Sequence, residues 1–291
     1  MIALRRNVIS HFPPTFYRYG MSHCGFLAFA LTALMGSLAA LPADAFDQAD
    51  VVTGDFRTGW LIKPGTHMAA LHLELAPSWK TYWRAPGDAG IPPSFNWSGS
   101  ENLEAVRFHW PRPSVFDLNG TKTVGYHDRL ILPIEVVATD PTRPVRLRAM
   151  IDLGVCADIC VPASLVLDVL LDGPGAPDAL IDMALAAVPQ TAAQAGLSSI
   201  GCSVDPIDDG LRVTARIEIP KLGPDETVVF ESGMSGVWVS EAVADRAGGT
   251  LIAASDMVPP DGAPFALDRS GVTLTVISAD RAVEIRGCPA P

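Results

Sequence analysis

Apolar and polar positions alternate along most of the chain. Leu71, Leu73 and Leu75 flank His72 and Glu74, and Leu130, Leu132, Ile134 and Val136 form a second run. Val145, Leu147, Ala149, Ile151 and Leu153 alternate with Arg146, Arg148 and Asp152, and Leu165, Leu167, Val169 and Leu171 follow. A period of two with one apolar face predicts half-buried strands. Turn clusters such as Ala85-Pro86-Gly87-Asp88 and Pro111-Arg112-Pro113 separate the runs, and Pro133 predicts an edge or a bulge. Residues 46–173 are therefore expected to form an antiparallel sandwich. Residues 174–196 break the pattern. Asp178 to Val188 has helical spacing, with Asp178 as cap and Pro189 as limit, and reads as a short helical connector. Alternation returns over 197–291. It is cleanest at Leu211, Val213, Ala215, Ile217 and Ile219, and further strands are expected at 227–231, 237–243, 250–254, 272–278 and 282–286. The fold class is all-β: two β-sandwich domains joined by a short helical connector.

Composition supports buried cores. Of 291 residues, 48% are hydrophobic and 18% charged, and 25 Pro and 25 Gly suit many short strands. The net charge of −11 argues against nucleic acid or an anionic membrane surface as partner. At the N-terminus Arg5, Arg6 and Arg18 precede an apolar run from about Cys24 to Leu41, then Pro42-Ala43-Asp44-Ala45. This reads as a signal peptide over 1–45, cleaved after Ala45, with Met1 or Met21 as start. The mature protein is expected to be exported, without stable membrane insertion.

Export changes the cysteine arithmetic. Cys24 leaves with the signal, and Cys156, Cys160, Cys202 and Cys288 remain. In an oxidising compartment an even number implies disulfides. Local spacing favours Cys156–Cys160, which leaves Cys202 with Cys288. The second bridge would close nearly the whole second domain, and on the chain-entropy model it contributes roughly 4–5 kcal/mol, a structural role. The first closes a loop too short to stabilise the fold much, so exchange chemistry explains it better. No Lys, Arg or His lies within the Cys156–Cys160 motif to lower a thiol pKa, while Asp158 and Asp152 oppose a thiolate. Two other readings stand beside this one. One is a non-enzymatic periplasmic binding or scaffold protein with structural disulfides. The other is a copper or zinc site combining the cysteines with His67, His72, His109 or His127, although no histidine lies at ligand spacing from the pair.

Four segments occur in order: Trp79-x-x-Tyr82-Trp83-x-x-Pro86-Gly87-x-x-Gly90-x-Pro92; Trp110-Pro111-x-Pro113; Tyr126-His127-Asp128-Arg129-Leu130-Ile131-Leu132-Pro133; and Cys156-x-x-x-Cys160-x-Pro162. Together they resemble the N-terminal periplasmic domain of the DsbD and ScsB thiol:disulfide interchange proteins. The resemblance implies an immunoglobulin-like first domain carrying Cys156 and Cys160 as a redox pair on a hairpin, with Cys160 attacked by partners. It also implies a cap loop at Phe116-Asp117-Leu118-Asn119-Gly120, with Phe116 as lid, and a site lined by Tyr82, Trp83 and Tyr126. No cofactor is implied. The cysteine spacing is shorter than in typical DsbD members and similar to the ScsB type. The membrane and thioredoxin-like domains of the family do not match any part of the chain. The implied partners are a thioredoxin-fold client and a separate membrane or thioredoxin-like electron donor.

Overall fold

The computed structural model describes residues 47–291; the expected signal peptide and its cleavage site lie outside them. Ten strands come first: β1 (Val52–Lys63), β2 (Thr66–Leu75), β3 (Lys80–Tyr82), β4 (Ser94–Asn96), β5 (Leu103–Phe108), β6 (Ser114–Leu118), β7 (Thr121–His127), β8 (Arg129–Ala138), β9 (Val145–Cys156) and β10 (Cys160–Leu171). They form two antiparallel sheets, ordered β1-β2-β8-β5 and β10-β9-β3-β7-β6, with β4 also on β9. The alternation read from the sequence becomes their shared core. Leu71, Leu73 and Leu132 on one sheet meet Ala149, Ile151 and Leu153 on the other, with Trp83 and Trp110 between. The fold is all-β and immunoglobulin-like.

Pro133 sits inside a sheet yet keeps the rule for proline. Its carbonyl accepts from the His109 amide, so its missing N–H points to the same side, where the β5 ladder has already ended at Phe108–Ile134.

The helix α1 (Ala179–Ala186) is shorter than expected from spacing, and it is packed rather than a free connector. Asp178 caps it, accepting from the Leu180 and Ile181 amides, and is paired with Arg57 at 2.6 Å. Ile181 and Ala184 bury against Met68, Ala70 and Ile131, on the outer face of the first sheet.

Nine strands follow: β11 (Gln190–Thr191), β12 (Ser199–Ile207), β13 (Gly210–Glu218), β14 (Thr227–Glu231), β15 (Trp238–Val239), β16 (Val243–Ala247), β17 (Thr250–Val258), β18 (Thr273–Ile277) and β19 (Ala282–Arg286). They form a second sandwich, β12-β13-β17-β15 with β16 on β17, against β11-β19-β18-β14. The single strand expected over 237–243 is broken. β15 ends at Val239, and β16 starts at Val243 and pairs further back along β17. The sandwiches touch: Ile277 and Ala282 join the first core, and Arg84 donates to both Glu231 and Glu284.

Candidate active site

β9 and β10 are a continuous antiparallel ladder from Val145–Leu171 to Cys156–Cys160. With no register break, the two cysteines fall directly opposite each other at its end, Cα atoms 4.1 Å apart, joined by a disulfide. Ala157-Asp158-Ile159 closes the turn, the Ala157 amide donating to the Ile159 carbonyl. Odd-numbered residues Ile151, Leu153 and Val155 face the core, so Cys156 points to the opposite face of its sheet. It is nevertheless only 1% exposed, whereas Cys160 is exposed. The pair is asymmetric: one sulfur is open to a partner and the other is covered.

Tyr82 supplies the cover. Its hydroxyl lies 3.0 Å from Cys156 Sγ and 3.6 Å from Cys160 Sγ. Neither sulfur of a disulfide carries hydrogen, so the hydroxyl donates. Burial raises the Tyr82 pKa, which keeps that proton in place. Gly154 makes the approach possible. A Cβ there would lie 2.7 Å from the Ile91 Cβ and 3.2 Å from the Tyr82 ring. Thr81, on the core side, donates to the Gly154 carbonyl at 3.0 Å and fixes β3 against β9.

The segment expected as a cap loop is a hairpin. β6 and β7 turn through Asn119 and Gly120, both at positive φ (56° and 87°), as a two-residue Asn-Gly turn requires. Phe116 sits on this hairpin, edge-on to His127 at 6.0 Å. Between it and the pair lies Lys80, directly across from Cys156 in the β3–β9 ladder. The Lys80 ammonium donates to Thr123 Oγ1 at 2.9 Å and lies 4.8 Å from the Phe116 ring centre and 5.9 Å from that of Tyr82. Burial lowers its pKa.

Trp83 and Tyr126, expected to line the site, do not reach the pair. Trp83 follows Tyr82 and so turns into the core, where it is fully buried with Arg84 stacked on it at 4.4 Å. Tyr126 pairs with core-facing Thr81; its ring stacks on Trp110 and its hydroxyl donates to the Pro111 carbonyl at 2.8 Å. Sequence reasoning missed Lys80, whose position opposite Cys156 depends on pairing between segments far apart in the chain.

The second disulfide, Cys202–Cys288, offers no exposed sulfur. Both cysteines are buried, 0% and 1% exposed, within the second core. Its residues are 86 apart, and Arg269 ties the two ends, donating to the Cys202 and Cys288 carbonyls. Among the described residues no three His, Cys, Asp or Glu side chains converge as a metal site. His72 is held between Asp55 and Glu74, and His127 by Asp128.

Residues 49–170 match the family described as thiol:disulfide interchange protein DsbD, N-terminal. The fold is similar to the crystal structure of the N-terminal periplasmic domain of ScsB from Proteus mirabilis. The TM-score is 0.60 and the sequence identity 24%, covering 82% of this chain and 92% of that one. None of the curated proteins matches the chain. Among the described residues no helix is long and apolar enough to cross a membrane.

Proposed function

From the place of residues 49–170 in the DsbD N-terminal family, we propose that this protein is a periplasmic thiol:disulfide interchange module that passes reducing equivalents through Cys156 and Cys160 to a thioredoxin-fold client. The observation that carries this reading is the asymmetry of the pair. Cys160 is exposed at a hairpin tip, while Cys156 is covered and hydrogen-bonded by Tyr82. A donor thiolate attacks Cys160 Sγ in line, the S–S bond breaks, and its electron pair goes to Cys156 Sγ. A second donor thiolate then resolves the mixed disulfide, leaving the pair reduced. Toward a client the steps reverse: the Cys160 thiolate attacks the client disulfide, and Cys156 attacks Cys160 Sγ to expel the client's second thiolate. The donor is a separate membrane or thioredoxin-like dithiol protein. Residues 46–173 act as the redox domain, residues 174–196 join it to the second sandwich, and residues 1–45 direct export.

A redox titration against glutathione, with Cys156→Ser as the trapping variant, tests this. The expected results are a Cys156–Cys160 pair poised within the glutathione range and a mixed disulfide between Cys160 and a thioredoxin-fold partner. A potential far below that range, with nothing trapped, identifies both bridges as structural and overturns the proposal.

A further inference from the structure

Breaking the disulfide by attack at exposed Cys160 places a negative charge on Cys156, which is 1% exposed. A buried anion is costly unless it is hydrogen-bonded and paired. Tyr82 offers the hydrogen bond, and the groups around the pair decide whether a counter-charge exists. Asp158 in the turn is acidic, and His127 on β7 is held by Asp128. Lys80 remains. It is half-buried, and among the described residues it forms no salt bridge, only the hydrogen bond to Thr123. Its stem is rooted opposite Cys156, and directly opposed residues have Cβ atoms about 4.5–5.5 Å apart. Its ammonium lies against the Tyr82 ring whose hydroxyl touches both sulfurs.

We propose that Lys80 is the counter-charge for the Cys156 thiolate: held on Thr123 between the Phe116 and Tyr82 rings while the pair is oxidised, its ammonium pairs with Cys156 Sγ once the S–S bond opens. This rests on the exchange reading of the pair and names the residue that makes Cys156 a competent leaving group and resolving nucleophile. Lys80 neither gives nor takes the electron pair; it acts as a positioning residue through charge. Its desolvated ammonium, lacking an acid partner among the described residues, is a preorganised site for an anion that exists only in the reduced state.

The test is a titration of Cys156 in the Cys160→Ser protein, followed by thiolate absorbance and requiring no client. Lys80→Met, which keeps the stem and removes the charge, is expected to lower the ionised fraction of Cys156 at neutral pH about tenfold, and Lys80→Arg to restore it. A second readout needs no substitution at position 80. The NMR shift of the Lys80 Cε should follow the Cys156 titration in Cys160→Ser. An unchanged thiol titration in folded Lys80→Met, or no inflection at Lys80, overturns the proposal. If Lys80→Met does not fold, the Lys80 inflection decides alone. A shifted Cys156 in a protein that exchanges with no partner would instead fault the proposed function.

Discussion

Tyr82 is two residues along β3 from Lys80 and works on the same sulfur by a different means. Its hydroxyl donates to Cys156 Sγ at 3.0 Å, and its raised pKa keeps it protonated at neutral pH. A hydrogen bond to a charged acceptor contributes about 1.5–3 kcal/mol, roughly ten- to a hundredfold in rate. Tyr82→Phe should therefore slow reduction of the pair by a dithiol about tenfold or more while leaving the melting temperature nearly unchanged. Stopped-flow kinetics on the oxidised protein read this directly, and an unaltered rate removes Tyr82 from the mechanism. Alternation along the strand places Tyr82 on the outer face and sends Trp83 to the core, so neighbours in one motif part company. The shared motif suggested both; the parity of the strand selects one.

The β6–β7 hairpin carries Phe116, the residue expected as lid, and its turn determines how firmly that residue is held. Gly120 has φ 87°, and the space a Cβ would occupy has no other atom within 4 Å, so a side chain there fits but strains the backbone. Gly120→Val should loosen the turn by about 1–3 kcal/mol. The expected result is faster hydrogen exchange over Ser114–His127 and faster attack of a small thiol reagent on Cys160, since Phe116 is less tightly held. Equal thiol reactivity would show that the hairpin does not shield the pair. The Asn119-Gly120 dipeptide is a hairpin signal in the sequence, which a cap loop at 116–120 does not use. The β9–β10 hairpin was legible because its alternation runs unbroken into the cysteines, and an unbroken register places them opposite one another.

At the scale of the whole molecule, Arg84 joins the sandwiches. It lies beside Trp83 on the first and donates to Glu231 on β14 and Glu284 on β19. Burial alone would raise the Glu284 pKa; the charges and hydrogen bonds of Arg84 and Arg286 outweigh it and hold the carboxyl below its ordinary 4.5. Glu226 behaves the same way, burial opposed by Arg246. A depressed folded-state pKa contributes stability that is present above the unfolded value and lost as pH falls through the folded one. Thermal stability should therefore decline from about pH 4.5 downward, and less steeply in Arg84→Met, where part of this linkage is absent. That variant should also lose about 2–4 kcal/mol at neutral pH, because Glu231 stays partly buried without its counter-charge and Glu284 keeps only Arg286. Chemical denaturation at several pH values measures both, and parallel pH profiles would remove Arg84 from the linkage. Opening the 86-residue Cys202–Cys288 span by a double Ser substitution should cost about 4–5 kcal/mol, whereas Cys156→Ser, which opens a span of only 4 residues, should cost about 2 kcal/mol.

The amino-acid sequence by itself determined the strongly alternating strands β2, β8, β9, β10 and β13, the hairpin carrying Cys156 and Cys160, and core residues such as Leu71, Leu132, Ile151 and Val213. Those features follow from local periodicity, which these strands carry within their own residues. Tertiary structure alone decided which sulfur is covered, that Lys80 stands across from Cys156, that Tyr126 belongs to the core, and that Arg84 bridges to Glu231 and Glu284. Each of these depends on pairing between segments distant in the chain. No local pattern records such a pairing, because it is selected only when both sheets close on one core.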